Sequence, residues 1–219
     1  MSPRTEPAAV LWDMDGTLVD TEPYWIEVEH ALVEAHGGTW THADAMNLVG
    51  NDLIESGRYL REVGGVDLEP AEIVEILLDG VIEHITREVP WRPGAVELLA
   101  DLAAHGVPCA LVTMSYRRFV KPVLDALPVG SFDVVVTGDA VTQGKPHPEP
   151  YLKAATLLGV EPAATVAIED SNTGARSAVA AGCTVLVVPN HVPVLDGEGR
   201  VFADTLPSSW RTLLDALGS

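Results

Sequence analysis

The stretch AAVLWDMDGTLVD, at residues 8–20, decides the fold. Its first five residues form an unbroken apolar run, which is typical of a β-strand buried on both faces. The run stops at Asp13, and Asp15 follows two residues later. Carboxylates so close together repel each other, and burial adds to the cost of their charge. The stretch therefore predicts a buried strand that ends where a cation, a proton or solvent offsets this repulsion.

Further apolar runs predict the rest of a sheet. Four of them follow the first, and like it they are rich in Val, Leu and Ile. They are CALV (109–112), FDVVV (132–136), TVAI (165–168) and TVLVV (184–188). Helical patterns at 93–106, 149–159, 171–182 and 208–217 alternate with these runs, and the first three end at Gly. Alternating strands and helices predict an α/β fold, with a doubly wound parallel sheet and right-handed crossovers.

The segment between the first two strands is too long for a simple crossover. Residues 19–90 have helical patterns at 22–36, 52–63 and 70–89 and contain no strand-like run. The Pro-rich stretch that begins at Pro90 suits a linker. We therefore predict a core domain of residues 1–18 and 91–219 and an inserted α-helical domain of residues 19–90.

Composition limits the possible partners and locations. The 219 residues carry a formal net charge of −19, whereas nucleic-acid binding needs a basic surface. No apolar run reaches the roughly 18 residues of a membrane span, and residues 1–7 lack the apolar region of a signal peptide. We expect a cytoplasmic protein that binds neither nucleic acid nor membranes. Cys109 and Cys183 begin apolar runs and are expected to be buried and unpaired.

Polar residues follow the predicted strands at the points where the strands end. Residues 113–115 (Thr-Met-Ser) follow the second strand, and Glu169 and Asp170 follow the fourth. Lys145 lies in the segment after the third. Each of these polar residues, taken alone, is explained by a role in a turn or a helix cap. Because ligands bind at the carboxyl ends of parallel strands, the set together predicts a binding site at one edge of the sheet.

The chemistry of these residues favours phosphoryl transfer. Four carboxylates without a histidine or thiolate cluster suit a hard cation, in practice Mg²⁺. A carboxylate beside Mg²⁺ can attack phosphorus and form an aspartyl phosphate, while a second carboxylate moves protons. Lys145 would add a point charge, and Thr113 with neighbouring backbone N–H groups would hold phosphoryl oxygens.

Four motifs carry a resemblance to a known family. They are DMDGT (13–17), LVTMS (111–115), GKPHPEPY (144–151) and EDSNTG (169–174). In this order and at these spacings the sequence resembles the haloacid dehalogenase superfamily, in its phosphatase and phosphomutase branch. The resemblance covers residues 8 to about 190 and implies a Rossmann-like core, with residues 19–90 as a helical cap.

The resemblance also implies roles for individual residues. Asp13 would be the nucleophile, and Asp15 the general acid and base. The metal ligands would be Asp13, Asp15 through its backbone carbonyl, Glu169 and Asp170. The residues that bind the phosphoryl group or the substrate would be Thr113, Met114, Ser115, Lys145 and Asn51. Asn51 lies between two predicted cap helices, and capping of the following helix is an equally good explanation for it.

Phosphatase activity and phosphomutase activity are both possible within this branch. The β-phosphoglucomutases carry a histidine a few residues after the first motif, and Trp25 stands at that place here. Because Trp cannot do the proton or hydrogen-bond work of histidine, hydrolysis is favoured. Arg58 and Arg61 could serve a distal phosphate or simply face solvent. We expect an Mg²⁺-dependent phosphatase, monomeric or homodimeric, that acts on a small phosphate ester, with a sugar phosphate preferred. A β-phosphoglucomutase-type enzyme is the alternative.

Overall fold

The computed structural model describes residues 6–48 and 53–218. The strands are β1 (Ala9–Trp12), β2 (Cys109–Val112), β3 (Val134–Val136), β4 (Thr165–Glu169), β5 (Thr184–Val187) and β6 (Arg200–Phe202). The helices are α1 (Glu22–Ala35), α2 (His42–Met46), α3 (Leu53–Glu62), α4 (Pro70–Arg87), α5 (Ala95–Ala104), α6 (Arg117–Asp125), α7 (Glu149–Leu158), α8 (Asn172–Ala181) and α9 (Trp210–Ala216).

The strands form one parallel sheet in the order β3-β2-β1-β4-β5-β6. Strand β1 lies at its centre, where Val10 is aligned with Cys109 of β2 and with Val166 of β4. Every residue of β1, β2 and β4 is buried, as expected of strands covered on both faces. The predicted α/β fold with a parallel sheet is confirmed. Its order brings the carboxyl ends of β1, β2 and β4 together.

Local sequence explains where several helices begin and end. Helices α7 and α8 stop at Gly159 and Gly182, which adopt left-handed backbone conformations with φ of 71° and 94°. Such conformations disfavour residues with a Cβ atom. Helix α9 begins after Ser209, whose hydroxyl accepts a hydrogen bond from the backbone N–H of Thr212. Both glycine stops were predicted from the sequence.

Three elements were not predicted. Strand β6 has three residues, one of them Arg200, and so gives no apolar run. Helix α6 has only nine residues and contains Pro122, which is unfavourable inside a helix. Helix α2 has only five residues and depends on the capping box formed by Thr41 and Asp44.

The chain divides into two compact units. One comprises Met1–Asp20 with Trp91–Ser219, and the other comprises Thr21–Pro90. The first contains the sheet and α5–α9. The second contains α1–α4, in which α1 and α3 both pack against α4.

The interior of the second unit contains an ionisable side chain. Glu29 of α1 is only 4% exposed, and its Oε2 atom accepts a hydrogen bond from Nε1 of Trp40 at 3.3 Å. Trp40 also lies edge-on to the ring of Tyr59. The carboxyl group of Glu29 is therefore buried and held by a hydrogen bond from Trp40.

Two further expectations concern cysteines and membranes. Cys109 and Cys183 are both buried and free, as predicted. Among the helices of residues 6–48 and 53–218, none is long and apolar enough to cross a bilayer.

Candidate active site

The candidate site is built on the carboxyl ends of the central strands. The backbone N–H of Asp13 donates to the carbonyl of Ile168 at 3.1 Å, and that of Thr113 donates to the carbonyl of Val136 at 2.9 Å. Both residues are therefore fixed by the sheet ladder although they lie one position beyond a strand. Glu169 is the last residue of β4 itself. The parallel sheet thus positions these three side chains through backbone hydrogen bonds.

Lys145 joins two of the predicted acids. Its Nζ atom lies 2.6 Å from Oδ1 of Asp13 and 2.7 Å from Oε1 of Glu169. The Lys145 side chain is 5% exposed, and the side chains of Asp13 and Glu169 are 10% and 0% exposed. One buried ammonium group thus bridges two buried carboxylates from different strands.

A third carboxylate completes an acidic cluster. Carboxylate oxygens of Asp13, Glu169 and Asp170 all lie within 4.8 Å of one another. When ionised they carry three negative charges, of which Lys145 balances one. The donor set consists of oxygen atoms, which Mg²⁺ prefers, and a divalent cation would balance the remaining charge. These residues therefore fit Mg²⁺.

Burial and mutual repulsion change the acidity of this cluster. Desolvation is the main cause that raises the pKa of Asp13 to about 7 and that of Asp170 to about 9. Repulsion by Glu169 adds to both shifts, and Lys145 opposes them. Burial alone would lower the pKa of Lys145, but its attraction to Asp13 and Glu169 outweighs this and raises it. Lys145 therefore stays charged, whereas the acids lack a sufficient counter-charge.

Asp15 lies apart from this cluster and has different partners. Its Oδ2 atom accepts a hydrogen bond from the hydroxyl of Ser115 at 2.6 Å and a longer one from that of Thr113 at 3.4 Å. The backbone N–H of Ser115 in turn donates to Oγ1 of Thr113 at 3.0 Å. The two hydroxyl residues after β2 therefore hold the second acid of the DMDGT motif.

Two glycines make room for the carboxylates. Gly16 has a φ of 85°, and a Cβ atom there would overlap the Asp170 carboxylate. A Cβ atom at Gly174, in the first turn of α8, would overlap the Glu169 carboxylate. Any side chain at these two positions would displace a member of the cluster.

Several contacts at the site were not predicted. The Tyr151 hydroxyl donates to Oε1 of Glu169 at 2.5 Å, and the Arg92 guanidinium donates to the carbonyl of Gly16 at 2.9 Å. Met114 contributes its side chain, because its Sδ atom accepts the backbone N–H of Lys145 at 3.2 Å. The sequence signal for Tyr151 was its place in GKPHPEPY, but its apolar spacing on α7 also suited simple core packing.

Predicted residues of the helical unit have other surroundings. Asn51 lies outside the described residues. Trp25 is half-buried on α1. Arg58 forms an exposed ion pair with Glu55, and Arg61 forms one with Glu69 at 2.9 Å. Both arginines are thus engaged by neighbouring acids.

Comparison with known proteins identifies the family. Residues 10–188 match the haloacid dehalogenase-like hydrolases. The chain belongs to this family. It is 33% identical over 223 residues to N-acetylmuramic acid 6-phosphate phosphatase of Pseudomonas aeruginosa, which covers 98% of this chain and 96% of that protein. It is 30% identical over 225 residues to hexitol phosphatase B of Escherichia coli, with all of both chains covered.

A solved structure agrees with this assignment to the haloacid dehalogenase-like hydrolases. CbbY from Rhodobacter sphaeroides, in complex with phosphate, superposes with a TM-score of 0.81 at 28% identity. The superposition covers 97% of this chain and all of that one. The chain is accordingly a phosphoric monoester hydrolase of the haloacid dehalogenase type.

Proposed function

We propose that the protein is an Mg²⁺-dependent phosphatase that hydrolyses a small sugar phosphate through an aspartyl phosphate on Asp13. The observation that carries this proposal is the convergence of Lys145, Glu169 and Asp170 on the Asp13 carboxylate. The names of the phosphatase relatives favour a phosphorylated sugar or sugar derivative as substrate. Residues 19–90 would form the cap that is typical of this branch.

Each step of the proposed reaction uses a side chain of the site. The Asp13 carboxylate attacks phosphorus, which forms an acyl phosphate and breaks the bond to the substrate oxygen. Asp15 donates a proton to the leaving oxygen and later accepts one from the water that hydrolyses the acyl phosphate. Lys145, Thr113 and the backbone N–H of Met114 would bind the phosphoryl oxygens.

The acidic cluster suits a metal in this reaction. Asp13, Glu169, Asp170 and the backbone carbonyl of Asp15 would hold Mg²⁺. When bound, the ion neutralises phosphoryl oxygens and lowers the pKa of the neighbouring acids. Ionisation matters for Asp13, because burial raises its pKa to about 7 and only the carboxylate is nucleophilic.

The test is phosphate release from a panel of phosphorylated compounds, with Mg²⁺ and with EDTA. The panel contains hexose 1- and 6-phosphates, hexitol phosphates, N-acetylmuramic acid 6-phosphate, phosphoglycolate and nucleoside monophosphates. We expect Mg²⁺-dependent release concentrated on the sugar compounds. Equal release in EDTA would contradict the metal dependence, and preference for a nucleotide would contradict the substrate class. Conversion of β-glucose 1-phosphate to the 6-phosphate, with a bisphosphate primer and little free phosphate, would establish the mutase instead.

A further inference from the structure

Tyr151 is a buried tyrosine whose hydroxyl reaches the site. It lies on α7, is 0% exposed and packs in the core with Leu11, Val136 and Ala154. A tyrosine in such a position normally needs a partner for its hydroxyl. That partner is the Glu169 carboxylate, at 2.5 Å. The polar end of an otherwise apolar side chain is therefore committed to the acidic cluster.

The hydroxyl of Tyr151 completes the surroundings of Glu169. Oε1 of Glu169 accepts from Tyr151 and from Lys145, and Oε2 accepts from the Ser171 hydroxyl at 3.2 Å. The backbone at Gly174 closes the remaining side, since even a Cβ atom there would overlap the carboxylate. Glu169 is 0% exposed, so it has no contact with bulk solvent. Its orientation thus depends on three donors and a close backbone contact.

The ring of Tyr151 contacts the other charged partner. The Nζ atom of Lys145 lies 5.1 Å from the ring centroid, within the range of a cation–π interaction. Lys145 divides its hydrogen bonds between Glu169 and Asp13. The hydroxyl satisfies part of the hydrogen-bonding capacity of Glu169 Oε1 and so limits how strongly that oxygen attracts Lys145. Loss of the hydroxyl would draw Lys145 towards Glu169 and away from Asp13.

We infer that Tyr151 is a positioning residue, which holds Glu169 for metal binding and Lys145 for contact with Asp13. This inference rests on the proposed function for its catalytic part. Residues that orient metal ligands typically change metal affinity or activity by about 10–100-fold when altered. A residue that only fills the core would behave identically as Phe.

The test compares Tyr151→Phe with a control that loses a different buried hydroxyl. Tyr151→Phe keeps the ring and removes one oxygen atom. The control is Thr165→Val, at the opposite end of β4, where the Thr165 hydroxyl is buried and donates a hydrogen bond to the carbonyl of Pro162 at 2.8 Å. Mg²⁺ binding is measured by calorimetry with the metal alone. Phosphate release is measured on the best substrate of the panel, and thermal unfolding checks the fold.

We expect Tyr151→Phe to bind Mg²⁺ about 10-fold more weakly, and to lower kcat about 10-fold with KM within about threefold. Thr165→Val should leave all three values near those of the unaltered protein. Equal Mg²⁺ affinity and kcat in the two variants would overturn the inference while leaving the phosphatase intact. If the unaltered protein releases no phosphate, the proposed function fails, and the calorimetry alone decides the role of Tyr151.

A second measurement covers the case in which Tyr151→Phe does not fold. The chain has four tyrosines, so labelling with 3-fluorotyrosine gives four fluorine resonances. Phe variants of Tyr24, Tyr59 and Tyr116 assign three of them and leave that of Tyr151. Addition of Mg²⁺ should shift the Tyr151 resonance, because metal binding changes the charge on Glu169. A resonance that does not move while calorimetry records Mg²⁺ binding would overturn the inference.

Discussion

Nζ of Lys145 lies 2.6 Å from Oδ1 of Asp13, although the two residues are 132 positions apart in the chain. The same atom bonds Glu169, so one cation stabilises two buried carboxylates. Lys145→Met should lower kcat at least about 10²-fold, comparable to the loss of a donor to a transition-state oxyanion. It should also lower the melting temperature in EDTA more than in Mg²⁺, because only the metal can then balance the acids.

The matched control for this change is Lys121→Met. Lys121 is 71% exposed and pairs with Asp125 on the surface of α6, so its loss should have little effect on activity or stability. The two variants are compared by phosphate release and by thermal unfolding. Similar behaviour of the two would mean that the buried bridge has no role in the reaction.

Asp13 is the proposed nucleophile, and its replacement tests the chemistry directly. Asp13→Asn has nearly the same shape but a poorly nucleophilic amide. Phosphate release should therefore fall by at least roughly 10³-fold while the fold persists. Mass spectrometry of acid-quenched protein should detect an added phosphoryl group on the unaltered chain and none on the variant. Release at the normal rate from Asp13→Asn would end the proposed mechanism.

Metal removal should have a pH-dependent effect on stability. Burial raises the pKa of Asp13 from 3.8 to about 7 and that of Asp170 to about 9. A raised pKa means that the folded state retains protons which the unfolded state has lost. The contribution of these two groups to stability in EDTA should therefore be complete below about pH 4, and should be lost as the pH rises through 7 towards 9. The measurement is the melting temperature from pH 5 to pH 9.

Mg²⁺ should counteract this loss. The ion binds the ionised acids, so protons on these acids oppose its binding. This opposition weakens as the pH rises. The increase in melting temperature on adding Mg²⁺ should be larger at pH 8 than at pH 5. An increase of equal size at both pH values would show that these carboxyl groups are not coupled to the metal.

Glu29 predicts a separate pH effect in the helical unit. Burial is the main cause that raises its pKa from 4.5 to about 8, Trp40 opposes the shift by hydrogen bonding, and Glu22 adds to it. Its contribution to stability is thus complete below pH 4.5 and is lost as the pH rises through 8. Glu29→Gln cannot ionise and keeps an oxygen for Trp40. It should raise the melting temperature by roughly 3–10 °C at pH 9 and have little effect at pH 5.

The control for Glu29 is Glu34→Gln on the same helix. Glu34 is 68% exposed and lies 3.5 Å from His30, so its replacement should change stability by only a few tenths of a kcal/mol. Thermal unfolding followed by circular dichroism compares the two variants at both pH values. A pH-independent difference between Glu29→Gln and the unaltered chain would contradict the assignment.

Much of the sheet could be predicted because its strands are buried on both faces. An unbroken apolar run such as residues 8–12 gives a clear signal, and all five runs became strands. Strand β6 could not be found this way, because it lies at the edge of the sheet and includes Arg200. Helix α6 was missed because it has only nine residues and Pro122 lies inside it, where proline normally argues against a helix.

The acidic residues of the site could be predicted for a related reason. Parallel strands end at the same edge, so Asp13 and Glu169 had to approach each other once the strand order placed β1 beside β4. No such rule predicts the contacts that side chains from other elements make with the site. The partner of the Tyr151 hydroxyl depends on how α7 lies on the sheet. The helical spacing of apolar residues predicts only which face of α7 is buried.

The central position of β1 has a consequence for how the protein is made. Strand β1 leaves the ribosome first, yet its two hydrogen-bonding neighbours begin at Cys109 and Thr165. Until β4 emerges, Asp13 has no Glu169 beside it, and β1 has an open edge that could pair with another chain. The growing polypeptide therefore acquires its chemistry only after β4 has been made, and products that stop before β4 should be inactive as well as prone to aggregate.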